Sequence, residues 1–359
     1  MHLKSIELKN FRSYHHRRFS FESPGCILLG ANGSGKTNLL EAIAYTSIGK
    51  SIRYQSEAEL LSFGTGFFSL SADYDSSAGV DLHVFLSYAE KRKLLKIDGQ
   101  ISRQLSTLFS LVKTIYCAPE DIMLINGSPR LRRQYFDLAI SQLWPEYLAV
   151  LREYLHIVDQ RNNLLKREYQ RSEKAGWDQN FARSYLNVLS YRKRYLQLLN
   201  NQFNGIFEVC DDTIHDVAVD YLWVGRDFES YGQEDLIRHL SDLEPREKVM
   251  QRSLIGAHID DYHFRQGKRS LRAYTSQGQK RLTVILLKLI QARLIEQETR
   301  ILPIILYDDI LAELDTRYSA RIKELTDSRF QVFIASPNHD VTKIWDHMPQ
   351  VEMEALACE

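Results

Sequence analysis

The fold of this chain is decided by Gly30-Ala31-Asn32-Gly33-Ser34-Gly35-Lys36-Thr37, which matches the phosphate-binding pattern G-x-x-x-x-G-K-[ST]. An apolar run at 26–29 precedes this P-loop as a buried strand would, and residues 36–48 after it have helical spacing. Glycines let the backbone wrap a phosphate, whose charge the helix N-terminus stabilises. We therefore predict that the loop binds ATP, with Lys36 on the β- and γ-phosphates and the Thr37 hydroxyl on Mg²⁺.

An acidic segment lies about 270 residues after the P-loop. The apolar run at 304–307 is typical of a buried strand, and it ends at Asp308 and Asp309. We predict that Asp308 belongs to the Mg²⁺ shell and that Asp309 is the general base for the attacking water. GTPases and small nucleotide kinases usually place this aspartate much closer to the P-loop. The wide gap therefore predicts one ATPase fold interrupted by a large insertion.

Apolar periodicity divides the chain into an α/β part made from both ends and a helical part between them. Short strands are predicted at 3–8, 17–21, 26–29, 68–74, 80–88, 304–307 and 331–334, with a hairpin turn at Asp98-Gly99. The spacing predicts three or so long helices over about 130–209 and another over 279–299. We expect an α/β ATPase head at 1–110 and 251–359 and a mostly helical arm inserted at 111–250.

The composition is that of a folded globular protein, with 44% hydrophobic and 26% charged residues among 359. The N-terminus lacks the apolar core of a signal peptide, and no apolar run approaches the ~18 residues of a membrane span. The four cysteines form no C-x-x-C pair, so neither a disulfide framework nor a zinc site is predicted. We expect a cytoplasmic protein with no membrane partner.

The motif Ser276-Gln277-Gly278-Gln279 stands just before the long helix predicted at 279–299. Together with the P-loop, the acidic strand and Ala312-Glu313-Leu314-Asp315, it resembles the ABC-type ATPases in order. Within that class the chain is most similar to the RecF family, which is related to the SMC proteins. The resemblance covers essentially the whole chain and is also carried by Lys9-Asn10-Phe11-Arg12-Ser13-Tyr14, Pro119-Glu120-Asp121, Gly127-Ser128-Pro129 with Arg132-Arg133, Gln160-Arg161-Asn162, and His258 with Asp260-Asp261.

The resemblance implies an ATP-dependent homodimer in which two subunits meet head to tail. Ser276 and Gly278 of one subunit, with Gln279 beside them, would cap the γ-phosphate held by the other subunit's P-loop. A hydroxyl and N–H groups at a helix N-terminus are suited to an anion. By the same carry-over, Arg12 would approach the nucleotide and Asp315 would lie at the dimer seam. Because dimerisation completes the site, we expect weak ATP hydrolysis that DNA stimulates.

The resemblance also implies binding of double-stranded DNA near gaps or single-strand junctions, and help in loading recombinase together with RecO and RecR. The segment 130–195 has thirteen Lys/Arg against seven Asp/Glu, although the net charge of the chain is zero. Basic side chains of the arm would grip phosphates without reading sequence, or would simply form solvated surface. The candidates are Arg130, Arg132, Arg133, Arg161, Lys166, Arg167, Arg192, Lys193 and Arg194. Arg161 could equally form a salt bridge within the arm.

Two other classes of ABC-type ATPase remain open from the sequence. A transporter subunit would serve a membrane partner and would be expected to have a longer L-S-G-G-Q signature. An ATPase coupled to a nuclease would need an acidic catalytic domain after the ATPase, whereas only about 25 residues follow Ile334. A membrane-fraction assay and a metal-dependent nuclease assay distinguish these classes from a DNA clamp.

Overall fold

The periodic apolar segments of the sequence become strands and helices in the computed structural model, which describes residues 1–22, 24–53, 56–75, 81–210, 215–223, 232–326 and 329–354. Its strands are β1 (His2–Phe11), β2 (Tyr14–Ser20), β3 (Gly25–Leu29), β4 (Phe67–Asp75), β5 (Asp81–Ala89), β6 (Arg92–Ile97), β7 (Gln100–Ser102), β8 (Thr114–Cys117), β9 (Val217–Leu222), β10 (Asp261–Gln266), β11 (Arg269–Ser270), β12 (Ile304–Asp308), β13 (Val332–Ser336) and β14 (Gln350–Glu352). Its helices are α1 (Lys36–Ile48), α2 (Leu108–Leu111), α3 (Met123–Asn126), α4 (Pro129–Leu143), α5 (Tyr147–Leu165), α6 (Arg171–Cys210), α7 (Gln233–Met250), α8 (Leu271–Tyr274), α9 (Gln277–Thr299), α10 (Thr316–Thr326) and α11 (Asp340–Ile344).

Contacts between residues separate the chain into two units. The first, which we call the head, contains residues 1–121, 206–212 and 276–359. The second, which we call the arm, contains residues 122–205 and 213–275. Both ends of the chain therefore contribute to the head, as the interrupted ATPase pattern predicts. Within the described ranges, no helix has the length and hydropathy needed to cross a membrane.

The head contains a parallel sheet with the strand order β14-β3-β13-β12-β8. Its three central strands, β3, β13 and β12, are buried at every position, as expected for strands covered on both faces. Helix α1 packs against β8, β12 and β13, and eleven of its thirteen residues are buried. The short apolar runs read from the sequence thus form the centre of the head.

A second, antiparallel sheet of the head has the order β2-β1-β4-β5-β6-β7. Strands β4 and β5 alternate between buried and partly exposed positions, which is the pattern of a sheet with one buried face. Helix α1 also contacts β1 and β4 of this sheet. The predicted pairing of 3–8 with 17–21 is confirmed, since Ile6 lies opposite Phe19. The hairpin at Asp98-Gly99 is confirmed as well, while the predicted strand start at Val80 lies outside the described residues.

The arm is built from long helices and a small antiparallel sheet of order β11-β10-β9. The long helices predicted over 130–209 are α4, α5 and α6, and α6 alone has 40 residues. The buried side chains of these helices recur at three- and four-residue intervals, which is the pattern of helices that share a core.

The boundaries between head and arm differ from those predicted. Residues 111–121 belong to the head, because β8 pairs in parallel with β12. Residues 251–275 belong to the arm, because β10 pairs with β9 over six residues. In both cases a strand pairs with another strand that is distant in sequence, and a change of periodicity along the chain does not reveal such pairing.

Candidate nucleotide-binding site

The P-loop and the acidic strand meet at one edge of the parallel sheet. Strand β13 lies between β3 and β12, with Leu29 paired to Ser336 and Asp308 paired to Ala335. Both β3 and β12 therefore end at the same edge. In open parallel sheets, ligands bind outside the carboxyl ends of the strands.

Glycines allow the tight path of the P-loop between β3 and α1. Gly30 has a φ of 150°, and a Cβ there would lie 2.6 Å from the carbonyl oxygen of Met353. Gly35 occupies the N-cap of α1 with a φ of 93°, in the left-handed region, and has no side chain to cap the helix. The N-terminus of α1 therefore faces the loop without a side-chain cap, which is the arrangement that binds phosphate in P-loop proteins.

Lys36 and Thr37 begin α1 and present a cation and a hydroxyl at this edge. Lys36 is buried, and its Nζ donates hydrogen bonds to the carbonyl oxygens of Gly30 at 2.8 Å and Ala31 at 3.0 Å. The Thr37 Oγ1 donates to Oδ1 of Asp308 at 2.8 Å, across 271 residues of sequence. Among the described residues, Ser34 Oγ is buried and has no hydrogen-bond partner. These donors fit the phosphates of a nucleotide, and the roles of Thr37 and Asp308 toward Mg²⁺ stay predictions.

Tyr116 on β8 is a member of this site that sequence reasoning missed. Its hydroxyl donates to Oδ2 of Asp308, so both oxygens of that carboxylate accept hydrogen bonds. Burial raises the pKa of Asp308, and the hydroxyls of Tyr116 and Thr37 partly offset this by stabilising the charged form. Burial and the nearby Asp308 charge raise the pKa of Tyr116, which keeps its hydroxyl protonated as a donor.

Asp309 follows the acidic strand in a left-handed conformation, with a φ of 53°. Its backbone N–H donates to the carbonyl oxygen of Ala335 at 3.1 Å, which fixes the turn after β12. An aspartate tolerates this conformation better than most residues. The turn places the Asp309 backbone at the same sheet edge as the P-loop, and its role as general base stays a prediction.

Arg12 is anchored beside the first helix. It adopts a φ of 55°, and its Nε donates to Oε2 of Glu41 on α1 at 3.3 Å. Its Nη1 donates to the carbonyl oxygen of Glu59 at 2.6 Å, and Glu41 is itself completely buried. A neighbouring contact, from the Tyr14 hydroxyl to the carbonyl oxygen of Gly35 at 3.0 Å, links the same turn to the P-loop. The predicted approach of Arg12 to a nucleotide stays a prediction.

The signature residues form the N-terminus of α9 and face solvent. Ser276 is the N-cap, and its Oγ accepts a hydrogen bond from the N–H of Gln279 at 3.2 Å. The Gln279 side chain returns the contact by accepting from the N–H of Ser276 at 3.1 Å. Ser276 and Gly278 are exposed. Their predicted contact with the γ-phosphate of a second subunit stays a prediction.

Three of the arginines predicted to contact DNA are buried inside the arm, so that prediction is wrong for them. Arg132 donates to both carboxylate oxygens of Asp261, at 2.7 and 2.8 Å. Arg192 donates to Asp137 Oδ1 at 2.8 Å. Arg161 lies between Asp178 and Glu247 and is fully buried. Buried charges require ionic partners, and here those partners are carboxylates of the arm and not phosphates of DNA.

The other predicted DNA contacts differ in exposure. Arg133 is half-buried and donates to the carbonyl oxygen of Asp260 at 2.9 Å. The exposed ones are Arg130, Lys166, Arg167, Lys193 and Arg194. Arg167 is paired with Glu173, and Arg194 lies over the Trp144 ring at 4.4 Å. These five remain candidate phosphate contacts.

The fold and this site define a P-loop ATPase of the ABC type, with the P-loop and the acidic strand joined in one head and a helical arm inserted between them. The family model for the RecF/RecN/SMC N-terminal domain matches residues 2–358. Curated relatives agree: "DNA replication and repair protein RecF" from Chlorobium phaeovibrioides is 33% identical over 352 residues, covering 94% of this chain and 93% of that protein. The Desulfitobacterium hafniense RecF is 32% identical over 320 residues, covering 88% and 87%. The chain belongs to the RecF family.

Solved structures agree with this assignment. The chain is similar to a structure described as the recombination mediator protein RecF with ATP in the RecFOR pathway, with a TM-score of 0.86 and 27% identity over 95% of this chain and 93% of that one. An SMC head bound to the C-terminal winged-helix domain of ScpA has a TM-score of 0.55 and 15% identity, covering 96% and 92%. The latter match supports the head fold alone.

Proposed function

We propose that this chain is an ATP-dependent DNA-binding protein of recombinational repair and a weak, DNA-stimulated ATPase. ATP closes a head-to-tail homodimer on double-stranded DNA near gaps or junctions, and slow hydrolysis releases it. The observation that carries the proposal is the Thr37–Asp308 hydrogen bond, which joins the P-loop to the acidic strand. The similar RecF structure described with ATP supports the choice of nucleotide. RecO and RecR are the proposed partners, because that protein is described as a mediator in the RecFOR pathway.

The residues of the site have distinct roles in this proposal. Lys36 and the N-terminus of α1 hold the phosphates, while Thr37 and Asp308 hold Mg²⁺, which neutralises charge on the phosphate oxygens. Asp309 accepts the proton of the attacking water. Ser276, exposed at the N-cap of a 23-residue helix, supplies a hydroxyl and helix N–H groups to the phosphate held by a second copy. Hydrolysis by one copy alone is therefore slow.

The Asp309→Asn variant is expected to bind ATP, to hydrolyse it at least ~100-fold more slowly, and to accumulate as a dimer. The amide removes the proton acceptor but keeps the shape of the side chain. Light scattering with and without Mg·ATP, each with and without duplex DNA, measures the dimer, and phosphate release measures hydrolysis. Dimerisation that requires ATP and increases with duplex DNA is the expected result.

Two further variants make this experiment decisive. Asp340→Asn alters an exposed carboxylate of α11 and should hydrolyse ATP normally. Ser276→Arg in the Asp309→Asn background should still bind ATP but remain monomeric, because the bulky cation occupies the proposed subunit contact. Hydrolysis by Asp309→Asn at the unmodified rate would contradict the assignment of the base. A monomer under every condition would contradict the clamp and leave only nucleotide binding.

The Tyr116→Phe variant is expected to weaken Mg²⁺ binding about tenfold while leaving metal-free ATP binding unchanged. Removing the hydroxyl leaves one oxygen of the Asp308 carboxylate without its donor, and the loss of such supporting contacts costs roughly 10–100-fold in metal affinity. The measurement is a Mg²⁺ titration of fluorescent ATP binding. Tyr74→Phe is the matched control, because Tyr74 is a buried head tyrosine whose hydroxyl contacts Thr46 instead. Equal Mg²⁺ midpoints for the two variants would exclude a positioning role for Tyr116.

A further inference from the structure

The arm contains a basic segment that ends next to the signature and is not part of the nucleotide site. From Tyr262 to Thr275, the last residue of the arm, the chain has four Lys or Arg residues and no Asp or Glu. In a chain with 46 residues of each sign, such a local excess of cations makes this segment of the arm positively charged. Its first part is the hairpin of β10 and β11, which belongs to the arm.

The tip of this hairpin is a two-residue turn that presents cations to solvent. Gln266 pairs with Arg269, which leaves Gly267 and Lys268 as the turn. Gly267 has a φ of 55°, as such tight hairpins require. Lys268 and Arg269 are both exposed. The hairpin tip therefore presents two consecutive exposed cations, Lys268 in the turn and Arg269 at the start of β11.

Two carboxylates, Asp220 on β9 and Asp216 just before β9, lie close to Arg265 of the hairpin. Arg265 donates from Nε to Asp220 Oδ2 at 2.8 Å, and its Nη1 lies 3.7 Å from Asp216 Oδ1. Asp216 also accepts the N–H of Gly267 through its carbonyl oxygen at 2.9 Å. Arg265 is thus paired with Asp220 and lies near Asp216. Among the described residues, neither Lys268 nor Arg269 forms an ion pair with a carboxylate.

An exposed aromatic ring completes this surface. Tyr274 ends the short helix α8, and its exposed fraction is 70%. The guanidinium of Arg269 lies 5.8 Å from the centroid of this ring, within the range of a cation–π contact. Arg272 on the same helix is exposed as well. Cations clustered on one surface are the electrostatic footprint of a nucleic-acid contact.

We propose that the hairpin tip Lys268–Arg269, with Arg272 and Tyr274, is a contact for the phosphate backbone of duplex DNA. This proposal rests on the proposed DNA-binding function. It places a DNA contact outside the helical segment 130–194. Lysine and arginine bind phosphate without reading sequence, which suits a protein that acts at DNA of any sequence. The tip carries no large aliphatic side chain to insert into a lipid surface, so duplex DNA is favoured over a membrane.

The test measures how duplex binding depends on salt. For Lys268→Gln/Arg269→Gln, the slope of log affinity against log salt is expected to fall by about 2, because each lost phosphate contact removes about 0.9. Affinity at low salt should fall about tenfold or more. The matched control is Lys91→Gln/Arg92→Gln, which alters the same residue pair at the β5–β6 hairpin of the head. Both control residues are exposed, so that variant should keep the unmodified slope.

Charge is separated from shape by the swapped variant Lys268→Arg/Arg269→Lys, which keeps both cations and should restore the slope. Thermal melting checks that each variant folds. Equal slopes for the hairpin variant and the control overturn the hairpin proposal. A hairpin variant that loses binding to anionic phosphatidylglycerol vesicles but not to duplex DNA overturns it in favour of a membrane contact.

Failure of the proposed function can be distinguished from failure of the hairpin proposal. If the unmodified chain binds duplex equally with and without Mg·ATP, while the hairpin variant still lowers the slope, the ATP clamp is wrong and the hairpin contact stands. If the unmodified chain binds no duplex in any nucleotide state, both proposals are wrong.

Discussion

Replacing Arg161 with leucine is expected to lower the free energy of unfolding by about 3–5 kcal/mol, because it leaves buried carboxylates without their cation. The guanidinium is fully buried, and its Nε donates to Asp178 Oδ1 at 2.9 Å. Its Nη2 donates to Glu247 Oε2 at 2.5 Å and its Nη1 to Ser253 Oγ at 2.8 Å. Asp178 keeps a second cation in Lys174, at 2.6 Å, whereas the Glu247 side chain is 0% exposed. Loss of the guanidinium therefore destabilises the buried charge of Glu247 more than that of Asp178.

Chemical denaturation of Arg161→Leu beside Arg167→Leu measures this effect. Arg167 lies just beyond the same helix and is paired with Glu173, but its side chain is 59% exposed. An exposed pair contributes only about 0–1 kcal/mol, so the control should be nearly neutral. The double variant Arg161→Leu/Glu247→Leu should recover much of the lost stability, because it removes the buried charge as well. A loss below about 1 kcal/mol in the single variant would contradict the buried network.

The same variant checks in solution that Arg161 forms an internal ion pair and does not contact DNA. As an internal ion pair, its loss should leave the salt dependence of duplex binding unchanged wherever the protein remains folded. As a phosphate contact, its loss should lower the slope of log affinity against log salt by about 0.9. The burial of its guanidinium and its three donor contacts favour the first result.

The sequence predicted the head well because its motifs, buried strands and first helix can each be recognised within a short stretch of the chain. The helix after the P-loop has the bounds expected from its spacing, 36–48, and the buried strands at 26–29 and 304–307 lie within β3 and β12. Parallel strands bring their carboxyl ends to one edge, so the meeting of Thr37 and Asp308 follows from motif order alone. Tyr116 was missed because it contacts Asp308 across 192 residues, and nothing near it in sequence marks that contact.

The buried arginines of the arm did leave a signal in the sequence. Arg161 lies at helical spacing from Ile157, Val158, Leu164 and Leu165, all of which are buried. Arg192 lies likewise among Val188, Leu189, Tyr195 and Leu196. An arginine on the apolar stripe of a helix predicts a buried ion pair, whereas a net charge count treats it as surface. The identity of the partner was not predictable, since Glu247 lies 86 residues from Arg161.

Replacing Lys36 with methionine is expected to weaken ATP binding by about 30-fold to several thousand-fold. Truncating one partner of a buried, hydrogen-bonded charge pair costs roughly 2–5 kcal/mol, and each 1.4 kcal/mol is about tenfold in affinity. Methionine keeps an unbranched side chain that is one atom shorter than lysine, but it offers no donor to a phosphate. The ammonium of Lys36 already lies inside the loop, where it donates to Gly30 and Ala31. Its loss should affect ATP more than ADP, which has no γ-phosphate.

Lys50→Met is the matched control, because Lys50 is exposed just past the other end of α1. Titration of fluorescent ATP and ADP analogues measures both affinities, and circular dichroism checks that the helix content is unchanged. The expected result is a large loss of ATP affinity in Lys36→Met alone, with no ATP-dependent dimer in the Asp309→Asn background. Equal affinities in the two lysine variants would mean that the P-loop does not hold the nucleotide. Dimerisation by Lys36→Met without bound ATP would instead mean that the subunits associate independently of the γ-phosphate, which would remove the link between the signature of one copy and the P-loop of the other.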